Sequence, residues 1–332
     1  MLLFVLVFYT AVFIGNAVVQ KKQKPSEIGQ SQMMKPEEFK QKEENFKKNI
    51  LKKPQLAGAL SLGAFLLLGV GFFIDMRFVW GVVNKRKWVH DGLAHQAVTW
   101  NSAHVMTAAV FMFFAESILM IVEALFFFVA GGKNVPRDFL LMANSLLRDT
   151  LVAFFIVYFV TRRLGRRLSD LGLTLKDFFK NVVRGVIGYV AVLPPLLLSL
   201  ILMAVVVKFF SYEPPPQNVV QIYLKRSSDP YLLFFTLFVA GAGPIIEEIF
   251  FRGFTYKAFR QQLGIPGAMV LTSVIFAAFH MNLAAFFPIF LLGLFLCYLY
   301  EETGSLVPSM TAHMLHNLLM VSFTLGFKSI AG

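Results

Sequence analysis

Apolar residues in this chain come in blocks separated by short polar stretches, at 2–19, 55–82, 104–131, 140–161, 182–208, 231–251, 267–284, 286–300 and 305–326. A helix that crosses a bilayer needs about 20 consecutive, mostly apolar residues. The pattern therefore predicts an all-α polytopic membrane protein with about 8–9 transmembrane helices. The first block, Leu2–Val19, has neither a basic segment before it nor a clear small-residue cleavage site, so it reads as an uncleaved anchor rather than a signal peptide. The block at 140–161 is interrupted by Arg148 and Asp149, which either neutralise each other or mark its entry.

The polar stretches predict the connections. Residues 20–53 are rich in Lys, Glu and Gln, which bury little apolar area; they read as a solvated, partly helical loop that could recruit a partner. Residues 162–180 form a basic connector that ends in an amphipathic piece, Leu171–Phe179. Residues 209–229, with Pro214–Pro216, read as a long loop. Trp80, Trp88 and Trp100 suit an interfacial belt.

Composition agrees with the bilayer as solvent. Hydrophobic residues make up 57% of the 332, charged ones only 15%, and phenylalanine alone accounts for 38. The net charge of +12 sits in the connections, at Lys21–Lys24, Lys47–Lys53, Lys85–Lys87 and Arg162–Arg167, where cations set topology and meet anionic headgroups. No basic and aromatic module for nucleic acid is visible, so the expected partners are the lipid bilayer and a membrane-associated protein or peptide, with no nucleic acid. The loops at 84–101 and 162–180 can share the cytoplasmic side. The equally basic 20–53 stretch cannot join them if 55–82 crosses once. Cys297 is the only cysteine; it excludes an internal disulfide and reads as a small buried hydrophobe.

Ionisable residues inside a span are expensive and are functional candidates. Pro244-Ile-Ile-Glu247-Glu248-Ile-Phe-Phe-Arg252-Gly253 places two carboxylates about 100° apart on a helix, with Glu248 and Arg252 four residues apart on one face. Glu247 is then left for another task; the plainer reading is a helix end that meets headgroups. Phe276-Ala-Ala-Phe-His280 supplies an imidazole that, taken alone, is an interfacial residue. His313 and Asn317 are also four apart; both can donate to a developing oxyanion, or simply join helices by hydrogen bonds. His316 faces elsewhere. If the chain turns back near Gly264–Gly267 and again near Thr303–Gly304, Glu248 lies about 24 Å from the first turn, His280 about 21 Å, and His313 and Asn317 about 14 and 20 Å from the second, at 1.5 Å per residue. Carboxylate, imidazole and the His–Asn pair then meet in one layer.

These three motifs, Glu247-Glu248…Arg252, Phe276…His280 and His313…Asn317, resemble the signature of the CAAX prenyl endopeptidase and bacteriocin-processing family of intramembrane endopeptidases (CPBP, Abi-type). Phe251-Arg-Gly-Phe and Gly304-Ser-Leu-Val-Pro-Ser are also similar, and Leu171-Gly-Leu weakly so. The likeness spans about residues 231–325. It implies a CAAX-protease-like helical core at 231–326, after an N-terminal membrane region at 1–160 and a connector, span and loop at 161–230. It also implies that Glu247 and His280 activate water, that His313 and Asn317 hold the oxyanion, and that Glu248 and Arg252 support them. No cofactor is favoured; zinc on Glu247, His280 and His313 is the alternative, without an HExxH helix. Expected localisation is a bacterial-type inner or plasma membrane.

Two other classes compete. One is a non-catalytic membrane scaffold or immunity protein. The other is a proton-coupled transporter built on Glu116 and Glu123, seven apart on one helix face, although pairing with Arg148 or Arg162 explains those carboxylates more simply. His90, His95 and His104 show no metal-binding face and read as interfacial. The substrate is open among a prenylated protein, a bacteriocin leader and a membrane-anchored regulator.

Overall fold

The computed structural model describes residues 36–84, 86–89, 93, 98–130, 137–212, 217–225 and 230–332. The expected anchor Leu2–Val19, His90 and His95 lie outside them. The elements are helices: α1 (Pro36–Leu51), α2 (Pro54–Val83), α3 (Ser102–Ala130), α4 (Arg137–Tyr158), α5 (Phe178–Phe209), α6 (Asn218–Lys225), α7 (Pro230–Leu237), α8 (Gly243–Glu248), α9 (Lys257–Phe279), α10 (Phe286–Thr303) and α11 (Leu306–Ala331). Short π-helical segments join α7 to α8 (Phe238–Ala242) and α8 to α9 (Ile249–Tyr256).

Among the described residues seven stretches are long and apolar enough to cross a membrane, and one of them, Tyr231–Phe279, counts 49 residues. That length is twice what a bilayer needs. The run folds back at Gly264, whose φ of 66° and ψ of −178° no helix accommodates. Glycine takes that conformation without a Cβ clash, and Pro266 two residues on restarts a helix. The limbs then run side by side: the ring of Phe251 lies 5.0 Å from Phe276 and 5.8 Å from Phe279. The predicted blocks at 231–251 and 267–284 are thus the two limbs of one hairpin. The protein is an integral, multi-pass membrane protein. Its outward apolar side chains, such as Phe65, Phe72 and Phe73 on α2, are solvated by lipid rather than water.

One face of the bundle gathers both turns. Arg260, just before the fold-back, donates from Nε and Nη2 to the two oxygens of Glu301, each at 2.9 Å. Gly304 ends α10, and the Ser305 hydroxyl caps α11 by accepting from the Val307 amide at 3.3 Å. The basic connector docks on the same face. Tyr300 Oη donates to the Leu171 carbonyl at 3.1 Å, and the Leu306 amide to the Gly172 carbonyl at 3.0 Å. Leu171 is fully buried while Leu175 and Phe179 are exposed, and α5 starts only at Phe178. The amphipathic piece at 171–179 is therefore an anchor residue followed by loop, not a helix. The positive-inside rule assigns this face, with its basic loops, to the cytoplasm.

Residues 36–51 of the Lys-rich stretch lie on the opposite face. α1 stacks Phe39 and Phe46 on Phe327 near the end of α11, with centroids at 6.1 and 5.1 Å, and Asn49 Nδ2 donates to the Ile330 carbonyl at 2.9 Å. With α2 as a single candidate span, residues 36–51 are the exception to the charge rule. They are a docked helix rather than a solvated loop, because every seventh position offers an aromatic ring to α11. Two further expectations fail for the same reason, a tertiary partner. The loop at 209–229 contains α6, whose Tyr223 is buried and whose carbonyl accepts from Lys328 Nζ at 3.0 Å. Trp100 is no belt residue; it is buried, stacked on Phe254, and its Nε1 donates to the Phe254 carbonyl at 2.9 Å.

Candidate active site

Pro244 has no N–H for the carbonyl four residues back, and its ring crowds that carbonyl. The backbone widens into the π segment Phe238–Ala242 immediately before α8, and into a second one, Ile249–Tyr256, immediately after it. Such bulges re-aim side chains and recur at functional sites. Here they bracket Glu247 and Glu248, and the first leaves a carbonyl, that of Val239, which accepts from Asn317 Nδ2 at 2.7 Å.

Glu248 and Arg252 are fully buried and paired, with Arg252 Nη1 donating to Glu248 Oε1 at 2.7 Å. The guanidinium also donates from Nη2 to the Gly293 carbonyl at 3.2 Å and lies 4.4 Å from the centroid of the Phe276 ring. A Cβ on Gly293 would come within 2.9 Å of Ser273, so glycine is what lets α10 approach α9 closely enough for that carbonyl to be reached. The same Glu248 oxygen lies 3.0 Å from His313 Nδ1. A carboxylate paired with arginine only accepts, which assigns the hydrogen to Nδ1. Nε2 then faces Glu247, 3.9 Å from its Oε2. That Oε2 is buried and has no hydrogen-bond partner among the described residues.

His280 stands at the end of α9. Its Nδ1 pairs with the Phe276 carbonyl at 2.8 Å, leaving Nε2 unpartnered among the described residues. Phe276 therefore has several tasks: its ring supports Arg252, packs 4.8 Å from His280 and 5.6 Å from His313, and its carbonyl fixes the His280 ring. His316 points away, its Nδ1 3.4 Å from Tyr189 Oη.

A cavity of about 170 Å³ opens between α3, α4, α8 and α9, walled by Glu247, His280, Arg148, Asp149, Phe251 and Phe279 among others. It brings Glu247 and His280 to one space. His313 reaches Glu247 from behind, while Asn317 is engaged by the backbone of the π segment. Arg148 and Asp149 are the residues that motif reading leaves out. Arg148 Nε donates to Asp149 Oδ1 at 2.8 Å, and Nη1 to Glu116 Oε2 at 3.2 Å. Glu123 accepts from Asn144 Nδ2 at 2.5 Å. The two α3 carboxylates are thus interhelical partners of α4.

Residues 229–319 match the family model described as Type II CAAX prenyl endopeptidase Rce1-like. Over these residues the chain is similar to that family, and nothing outside them is matched. All three motifs fall within the matched residues, whereas Arg148 and Asp149 lie outside them. Comparison of the chain with curated proteins and with solved structures gives no match. The family supports a protease role for the Rce1-like segment, in a protein whose helices cross the membrane.

The zinc alternative would need Glu247, His280 and His313 to converge. Among the described residues no three His, Cys, Asp or Glu side chains converge closely enough to hold a metal ion. His313 and His280 each use Nδ1 on an oxygen, that of Glu248 and that of the Phe276 carbonyl, which leaves Nε2 of each as the remaining donor position. Glu247, His280 and His313 do not converge on one point in this arrangement.

Proposed function

We propose that the protein is a glutamate-dependent intramembrane endopeptidase that hydrolyses a peptide bond of a membrane-associated protein or peptide. The observation that carries this reading is the unpartnered Glu247 Oε2 beside a cavity shared with His280, backed by His313.

In this reading, Glu247 takes a proton from a water in the cavity while His280 Nε2 orients that water. The hydroxide oxygen bonds to the scissile carbonyl carbon, and the carbonyl oxygen becomes the oxyanion. His313, held through Nδ1 by Glu248, faces the oxyanion with Nε2; Asn317 contributes its second amide hydrogen when the π segment yields. Donors aimed at such an oxyanion in a dry site are each worth about 3–4 kcal/mol. Collapse breaks the C–N bond, and the proton on Glu247 passes to the leaving amine. Arg252 fixes Glu248, and so the His313 ring, without touching substrate. The site uses a carboxylate and no metal, and we place the protein in a bacterial-type plasma membrane.

The test is mass-spectrometric mapping of protein N-termini in membranes from cells expressing wild type, Glu247→Gln or His280→Ala. New N-termini present only with wild type are expected and would name the substrate. Identical maps from three folded, equally abundant proteins would overturn the reading and favour a scaffold.

A further inference from the structure

A second cavity, of about 510 Å³, lies far from the motifs, between the end of α2, residues 86–88 and the last turn of α10. Its size is within the range of about 300–1,000 Å³ usual for small-molecule sites. Arg77, Arg86, Lys87, Trp88, Phe78 and Tyr298 line it, and Glu302 is the one carboxylate among its described lining residues. Three cations against one carboxylate leave an excess of positive charge. Among the described residues no hydrogen bond or ion pair engages the three cationic side chains.

Asn84 and Arg86 are tied to the end of α2. The Arg86 amide donates to the Gly81 carbonyl at 3.0 Å, Asn84 Nδ2 donates to the Trp80 carbonyl at 2.8 Å, and Phe78 packs edge-on against Tyr298 at 5.9 Å. The position is interfacial. α2 ends at Val83, Trp80 is 72% exposed beside it, and the exposed rings of Phe72 and Phe73 continue down the same helix. Cations at the mouth and an apolar helix below it match a molecule with an anionic head and acyl chains. Basic pockets at the cytoplasmic ends of membrane helices bind anionic headgroups through this chemistry.

We propose that this cavity binds a phosphate group, that of an anionic membrane lipid, with Arg77, Arg86 and Lys87 as its ligands and Trp88 and Tyr298 as its interfacial walls. A nucleic acid or a soluble acidic peptide would leave the apolar side of the cavity unused.

The full chain is purified and reconstituted in nanodiscs of phosphatidylcholine with a minority of phosphatidylglycerol, and retained lipids are counted by native mass spectrometry. Wild type is expected to retain phosphatidylglycerol over phosphatidylcholine by on the order of ten-fold. Arg77→Gln/Arg86→Gln/Lys87→Gln is expected to lose most of that preference. Arg162→Gln/Arg163→Gln/Arg166→Gln, an equal charge loss on the same face, is expected to keep it. A parallel arm measures melting in neutral detergent with added inorganic phosphate; stabilisation by phosphate without lipid retention supports the site and assigns the phosphate to a soluble source. No lipid preference and no phosphate effect in the wild type would overturn the proposal, whatever the variants do, as would equal preference in the two triple variants.

Discussion

His313 Nδ1 and Arg252 Nη1 meet on a single oxygen of Glu248, at 3.0 and 2.7 Å. Removing one partner leaves the other charge buried, which costs about 3–5 kcal/mol, whereas replacing both with apolar groups of similar volume can be nearly neutral. Glu248→Gln and Arg252→Met should each lower the melting temperature sharply in detergent, and Glu248→Leu/Arg252→Met should recover much of the loss without recovering cleavage. Additive destabilisation would show that the pair is not coupled.

Glu247 differs from its neighbour in lining the cavity, whereas Glu248 is fully buried and holds Arg252 and His313 through Oε1. Glu247→Gln should leave melting unchanged or slightly raised while cleavage falls by about 10²–10⁴-fold, the usual worth of a general base. A variant that melts early would place Glu247 in the framework instead.

Asn317 Nδ2 donates to the carbonyl of Val239 in the π segment before α8. Asn317→Ala orphans that carbonyl, at a cost of about 1–3 kcal/mol. Proteolysis kinetics should then show a lower kcat with KM little changed. A change confined to KM would separate Asn317 from the chemical step.

Glu116 is expected to matter as an interhelical partner. Hydrogen bonds between membrane helices average about 0.6 kcal/mol. Glu116→Gln should therefore cost little stability and preserve cleavage, and liposomes holding the wild type should show no proton flux that Glu116→Gln abolishes. Such a flux, without cleavage, would restore the transporter.

A carboxylate-activated water predicts full cleavage after exhaustive chelation. Loss on chelation and recovery with zinc would require the donors to rearrange.

The helical blocks and both turns were legible because lipid enforces long apolar runs and because Gly264 and Gly304 punctuate them. The motif residues were legible through spacing: Glu248 and Arg252 are one helical turn apart and needed no tertiary information. What spacing could not reveal was contact between distant elements. Arg148 and Asp149 read as a self-neutralising pair, and only the packing of α4 on α8 brings them to the cavity wall with Glu247. Trp100 read as a belt residue because nothing in its neighbours announces the Phe254 carbonyl. The ring pairs Phe39–Phe327 and Phe46–Phe327 likewise join residues nearly three hundred positions apart, inside a stretch whose composition alone reads as solvated.

The hairpin at Gly264 also sets an order of events during synthesis. Glu247, Arg252 and His280 lie on limbs that pack against each other, so they emerge from the ribosome and enter the bilayer together. His313 arrives a further helix later, after α10 has crossed and Gly304 has turned the chain. Until then Glu248 can hold Arg252 but lacks its imidazole, and Glu247 has no His313 behind it. On the proposed function, the nascent protein is expected to be inert toward its neighbours in the insertion machinery until the last helix has joined the bundle.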